Sequence, residues 1–162
     1  MKKALIVVLV IFALGVGYWL ISPLFITRQV DEKIEDIVAT VAAERDEAPL
    51  MADPFIKRSG SFIGLAKHSG FGTAKIISIA DKKYVRFEDD FKVTNGPDLF
   101  VYFGKDGQYI ESAQLGELKG NVGGQNYEVP ANINPEDYNE VWVWCRAFSV
   151  PFAKAELSEL IK

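Results

Sequence analysis

The feature that most limits this chain is a nearly unbroken apolar run from Ala4 to Phe25, interrupted by Gly15, Gly17, Ser22 and Pro23. A helix of about 20 such residues crosses the hydrocarbon core of a bilayer, so the run reads as a transmembrane anchor. Lys2 and Lys3 precede it, and positive flanks stay on the cytoplasmic side. Tyr18 and Trp19 have the amphipathic rings favoured at the far interface, which puts the rest of the chain outside the cytoplasm. A cleaved signal peptide has an apolar core of about 7–15 residues and small residues before the cut. Here the run is longer and ends in the bulky Tyr18-Trp19-Leu20-Ile21, which favours an uncleaved single-pass anchor, the cell membrane being the expected location.

Charge returns from Arg28 to Glu47, while Val30, Ile34, Ile37, Val38 and Val41 recur at helical spacing. A juxtamembrane helix is expected there. Its apolar stripe is either a seam for a homodimer through Val30–Val41, a strip lying on lipid headgroups, or the docking face of a spacer. A coiled coil wants at least three or four heptads, so the spacer is preferred. Ala48-Pro49 and Asp53-Pro54 then stop the helix, because the residue before a proline is pushed out of the α region. The chain thus divides into an anchor (1–27), a juxtamembrane helix and linker (28–54) and a third part (55–162).

Past Phe55 the spacing changes to short runs rich in Val, Ile, Phe and Tyr, parted by Gly, Asn, Asp and Pro, the pattern of short strands. The expected strands are 61–66, 73–79, 83–88, 91–94, 99–103, 114–119, 126–129, 140–148 and 152–157. Turns are expected at Asp81-Lys82, at Lys105-Asp106-Gly107 and at Asn95-Gly96-Pro97-Asp98, the last with its glycine at positive φ. Asn134 is a candidate cap for a helical turn begun by Pro135. The fold class is all-β, an antiparallel sandwich or partly closed barrel, preceded by the two helices.

Several functions are excluded early. The formal net charge is -4 with no long Lys/Arg run, which is no footprint for nucleic acid. With one cysteine, Cys145, and one histidine, His68, neither an intrachain disulfide nor a site of several thiolates or imidazoles can form. No phosphate loop, nucleophile elbow or zinc-protease pattern is present. Glu88-Asp89-Asp90 contains oxygens of the kind calcium takes, yet alternation splits neighbours across a strand, and a solvated turn is the simpler reading. Gly120 to Asn126 is a polar, glycine-rich loop that either frames a pocket or merely connects strands.

The run Val141-Trp142-Val143-Trp144-Cys145-Arg146-Ala147-Phe148 is the most informative. Alternation puts Cys145 with Val141, Val143 and Ala147, and puts Trp142, Trp144, Arg146 and Phe148 on the other face, so this strand should be central and covered on both sides. On these residues alone Cys145 is either a small buried hydrophobe or a reactive thiolate, and the second needs an electropositive, partly exposed setting.

Several segments in order resemble one family. They are Gly60-Ser61-Phe62-Ile63-Gly64-Leu65-Ala66 with His68, Gly72-Thr73-Ala74, Arg86-Phe87-Glu88 to Phe91, and Asn95-Gly96-Pro97-Asp98-Leu99-Phe100-Val101-Tyr102. Leu115-Gly116 through Lys119-Gly120-Asn121, Gly124-Gln125-Asn126-Tyr127 and Val143 to Phe148 follow. Together they resemble the DM-thirteen domain, an electron-transfer family that in animals often accompanies DOMON domains, over about residues 59–157.

The resemblance implies an extracytoplasmic β-sandwich-like module proposed to move electrons, with its hallmark cysteine a free thiol or a ligand to a prosthetic group such as haem. That cysteine is Cys145, and the family's recurring histidine falls on His68. Asn95, Asp98, Gln125, Asn126 and Trp144 match its motifs. The leading expectation is a membrane-anchored redox module in which Cys145 carries the chemistry, His68, Asn95, Asp98, Gln125 and Asn126 shape the approach, and Trp144 and Phe148 wall the site. The partner is an unknown redox or protein partner. Two rivals stand beside it: a non-catalytic cell-surface module that binds a small ligand or protein near Asn95 to Asp98 and Gly124 to Asn126, and a structural envelope protein assembled through the Val30–Val41 stripe.

Overall fold

In the computed structural model the described residues are 2–22, 26–44 and 55–160. The linker with its two proline stops, and the end of the apolar run at 23–25, lie outside them.

The first helix, α1, is Lys2–Ile21. Among the described residues no helix is long and apolar enough to cross a membrane, and the expected spanning helix is met only as this apolar one. Leu5, Ile6, Val8, Ile11, Phe12 and Leu14 are each more than half exposed, so among its described side chains α1 buries no apolar face on the rest of the chain.

The second helix, α2, is Ile34–Glu44, shorter than the stretch from Arg28 to Glu47 read as helical. Asp36 starts it by accepting from the Lys33 amide (2.9 Å), the reach-back half of a capping box. The residues before it are drawn off as an extended strap: Val30 N–H donates to Val122 O and Glu32 N–H to Gly124 O, both at 2.9 Å. Ile37 and Val41 are buried against Ile77, Ile79 and Tyr84. Those side chains of the apolar stripe are therefore covered within the chain, as a docked spacer requires.

The rest is mostly β. Its strands are β1 (Phe55–Gly64), β2 (Gly70–Phe71), β3 (Thr73–Ile79), β4 (Lys82–Phe87), β5 (Lys92–Val93), β6 (Leu99–Lys105), β7 (Gln108–Glu117), β8 (Gln125–Glu128), β9 (Glu140–Cys145), β10 (Val150–Glu156) and β11 (Ser158–Glu159). One antiparallel sheet runs β7-β6-β9-β10-β1-β3-β4-β8, with β11 beside β1, and β2-β5 forms a separate ribbon. The ends of that order, β7 and β8, approach each other where Lys119 N–H donates to the Tyr127 hydroxyl (3.1 Å) and Lys119 Nζ to Asn126 O (2.7 Å). The result is a nearly closed barrel rather than two stacked sheets. Strand β1 makes the curl possible by pairing with β3 along its first part and with β10 along its last. At Gly60 a Cβ would sit 2.0 Å from Glu156 O, so only glycine lets β1 pass there.

Inside, Phe62, Phe87 and Phe91 pack ring to ring at centroid distances of 4.6–5.0 Å, and Val101, Phe103, Val141, Val143, Cys145, Ala153 and Ala155 complete one core. The Asp106-Gly107 turn lies between β6 and β7 with both residues at positive φ (52° and 85°), the form a two-residue hairpin prefers. The hairpin expected at Asp81-Lys82 turns one residue earlier, through Ala80 at φ 54°. Gly96 is not at positive φ; glycine is needed there because a Cβ would meet Leu99 Cδ2 at 2.8 Å and the Phe152 ring at 2.9 Å. The turn Pro135–Asp137 forms, but Asn134 makes no side-chain capping bond.

Candidate functional site

Strand β9 is central, paired with β6 on one side and β10 on the other. Register sets its two faces. Phe103 opposes Val141, Val101 opposes Val143 and Leu99 opposes Cys145, all pointing inward. Cys145 has no exposed surface and is a member of the apolar core. The strand ends there, earlier than expected, because the Ser149 amide bonds to Arg146 O (3.3 Å) and the chain reverses into β10. Phe148 is thereby thrown into solvent at 65% exposure and walls nothing.

The other expected site residues fall into separate places. His68 is half-buried in the loop after β1, stacked on Phe152 at a centroid distance of 3.7 Å. Asp98 holds Arg146 through two bonds of 3.2 and 3.3 Å, and the guanidinium lies 3.5 Å over the Phe100 ring. Hydrogen bonding to Asp98 raises the Arg146 pKa further, so that side chain is a fixed cation. Asn95 lines a cavity of about 310 Å³ with Pro97, Leu99, Leu118 and Asn121, beside Ile26 and Arg28 of the strap. Cys145 does not line it; Leu99, its register partner, does.

Gln125 and Asn126 hold a joint. Gln125 is wholly buried: its amide donates to Gly120 O (2.9 Å), and its oxygen accepts from Gly120 N (3.2 Å) and the Tyr127 hydroxyl (2.7 Å). Burial raises the Tyr127 pKa well above the ordinary phenol value, so the hydroxyl keeps the proton it donates. Asn126 accepts from Arg86 (3.0 Å) and donates to Lys33 O (3.3 Å). Arg86 itself is buried and also reaches Glu32 O (3.0 Å), Asp89 (3.1 Å) and Glu88 (3.3 Å). The acidic run is thus engaged by a protein cation, and Asp90 accepts from Thr73 N (3.0 Å). The glycine-rich loop is a seat for the strap: at Gly123 a Cβ would lie 2.1 Å from Val30 O, and at Gly120 2.5 Å from Arg28 O.

Alternation placed Trp142, Trp144, Arg146 and Phe148 on the outward face of β9; the tyrosines that pack there, Tyr102 and Tyr109, went unread. Trp144 is half-buried and stacked on Tyr109 at 4.1 Å; Tyr109 meets Tyr102 edge-on at 5.3 Å, and Trp142 lies 6.5 Å from Trp144. Trp142 lies over Gly104, where a Cβ would be 2.2 Å from its Nε1, and donates to Glu140 (2.9 Å). Glu140 is buried, which by itself would raise its pKa; hydrogen bonds from Lys154 (2.7 Å) and Trp142 outweigh that and leave the pKa below the ordinary carboxylate value. The signal that places Tyr109 here is the Asp106-Gly107 turn: it pairs Lys105 with Gln108 and so Gly104 with Tyr109.

Haem does not fit the residues present. A thiolate ligand needs a cavity that reaches the sulfur, and Cys145 is sealed among Val, Leu, Ala and Phe. Among the described residues no three His, Cys, Asp or Glu side chains are grouped to hold a metal ion.

No curated protein and no solved structure shows significant similarity to the chain. Residues 61–157, nearly the whole barrel with Cys145 included, match the family described as electron transfer DM13, and the chain belongs to that family.

Proposed function

We propose that this chain is a membrane-tethered, extracytoplasmic electron-transfer module that exchanges electrons with its partner through the protein matrix rather than by direct attack at a sulfur. The observation that carries the reading is the family match across the barrel. The tether rests on α1, whose apolar side chains are exposed, and on Lys2 and Lys3, which bias the N-terminus toward the cytoplasm. The apolar run of the sequence continues past the end of α1 to Phe25. Thiol exchange requires a thiolate that a second sulfur can touch. Cys145 has no accessible surface, which supports electron passage without contact at Sγ.

Two measurements on the full chain test this. A tethered module stays with membranes through an alkaline carbonate wash; release by that wash would remove the tether. In micelles it should exchange one electron with a soluble one-electron oxidant, and Cys145→Ala should do the same. Loss of exchange in a folded Cys145→Ala chain would restore the sulfur as the working atom. The enclosure of Cys145 and the cavity beside Asn95 favour a second reading, a binding module; a chain inert to every one-electron oxidant would leave that reading standing.

A further inference from the structure

Four of the chain's oxidisable rings form a connected group on and beside the outer face of β9. Indole and phenol are the side chains, apart from thiols, that give up a single electron most readily. Trp142, Trp144, Tyr109 and Tyr102 follow one another at centroid separations of 6.5, 4.1 and 5.3 Å. These contacts are close enough for an electron to step from ring to ring.

The four rings differ in what surrounds them. Trp142 is buried, with the Lys154 ammonium 5.7 Å over it and balanced by Glu140, so an outside carrier does not reach that indole. Tyr102 is buried and donates its hydroxyl to the Gln114 amide oxygen (3.1 Å), a poor acceptor for the proton a phenol must lose on oxidation. Trp144 and Tyr109 are both half-buried, stacked face to face, and open to water at the side. Arg146, the nearby cation over Phe100, is offset by Asp98. An outside carrier therefore reaches the group at the Trp144–Tyr109 stack.

We infer that the Trp144–Tyr109 stack is the electron port of this domain, where a one-electron carrier with an exposed conjugated edge docks and exchanges an electron. This rests on the electron-transfer reading above and names the place where it acts. In the oxidising direction Trp144 gives one electron to the carrier, which is reduced by one. Tyr109 then refills the indole cation, losing one electron and its phenolic proton, and the proton passes to water. The net change is one electron to the carrier, one proton to solvent and a tyrosyl radical on Tyr109.

The test uses the full chain in detergent micelles with photogenerated tris-bipyridine ruthenium(III) as oxidant, read by transient absorption and electron paramagnetic resonance. The wild-type chain should give a tyrosyl radical. Tyr109→Phe should lose it and leave a tryptophanyl radical, and Trp144→Phe should lose the tryptophanyl precursor and lower the tyrosyl yield. Tyr138→Phe should match the wild type. Phenylalanine keeps a ring in each place, and circular dichroism checks that each variant folds. A radical unchanged in yield and type by Tyr109→Phe and Trp144→Phe overturns the port while leaving the electron-transfer reading in place. A wild-type chain that forms no radical and quenches the oxidant no faster than the doubly substituted chain overturns both.

Discussion

The two faces of β9 are built from alternate residues of one six-residue strand, yet they are chemically opposite. Inward lie Val141, Val143 and Cys145, without solvent and without a polar neighbour in register. Outward lie Glu140, Trp142 and Trp144, held by an ion pair, an indole hydrogen bond and a stacked phenol. Trp144 and Cys145 are adjacent in sequence, and the sheet between them separates a ring that meets water from a sulfur that does not. In a strand, closeness along the chain says little about shared chemistry, because the backbone itself is the partition.

The strongest way to break that contrast is to unbalance the outer face. Glu140 and Lys154 pair at 2.7 Å with side chains 3% and 14% exposed. Removing Lys154 strands the buried Glu140 carboxylate, so Lys154→Ala should cost about 3–5 kcal/mol of unfolding free energy, measured by urea titration. A cost under about 1 kcal/mol would mean that water reaches the pair. The inner face is probed by Cys145. Serine there buries a hydroxyl with no acceptor in register, expected to cost about 1–3 kcal/mol, whereas Cys145→Ala should cost only about 1 kcal/mol for the lost sulfur contacts. Equal stability of the two variants would mean that the inner face is not dry. A thiol reagent supplies an independent reading: it should modify the native chain only as fast as the chain opens, and at once after denaturation.

How much of this was legible in the sequence follows the same partition. Period-two alternation identified β9 and placed Cys145 with Val141 and Val143, because alternation is a local property of an extended backbone. The choice between a sandwich and a partly closed barrel was not legible, since it depends on which strands pair across long stretches of chain, as Phe62 does with Ala155. The end of β9 was misplaced because Arg146 to Phe148 continue the alternating pattern while Ser149, at φ 51°, turns the chain. Phe148 was assigned to a site wall on a strand that had already ended. Gln125 and Asn126 stood out as motif residues, but their work of seating a strap that begins nearly a hundred residues earlier is a long-range fact. The loop with glycines at 120 and 123 read as a pocket frame or a mere connection, and the structure uses those glycines for close backbone approach.

Acid should sharpen the contrast by a smaller amount than either truncation. The Glu140 pKa is lower in the folded chain than in the unfolded one, so the unfolded state binds the proton more readily. Its stabilising contribution is fully present above the ordinary carboxylate value of about 4.3 and is lost as pH falls through the folded value. Unfolding free energy of the wild type should therefore drop more steeply below about pH 4.5 than that of Glu140→Gln, which has no proton to gain there. Parallel curves would mean that Glu140 is not the group responsible.

The smallest effect belongs to the ring proposed as the port. Trp144→Phe keeps an aromatic over Tyr109 and removes only part of the stacking, worth about 0.5–1.5 kcal/mol for a whole aromatic pair. Its thermal midpoint should therefore stay near that of the wild type while its photo-oxidation changes sharply. That separation is the point of the substitution, because a ring kept for packing and a ring kept for its electrons are told apart by which measurement moves. A large loss of stability with unchanged radical chemistry would assign Trp144 to packing, and the two faces of β9 would then differ in solvent contact alone.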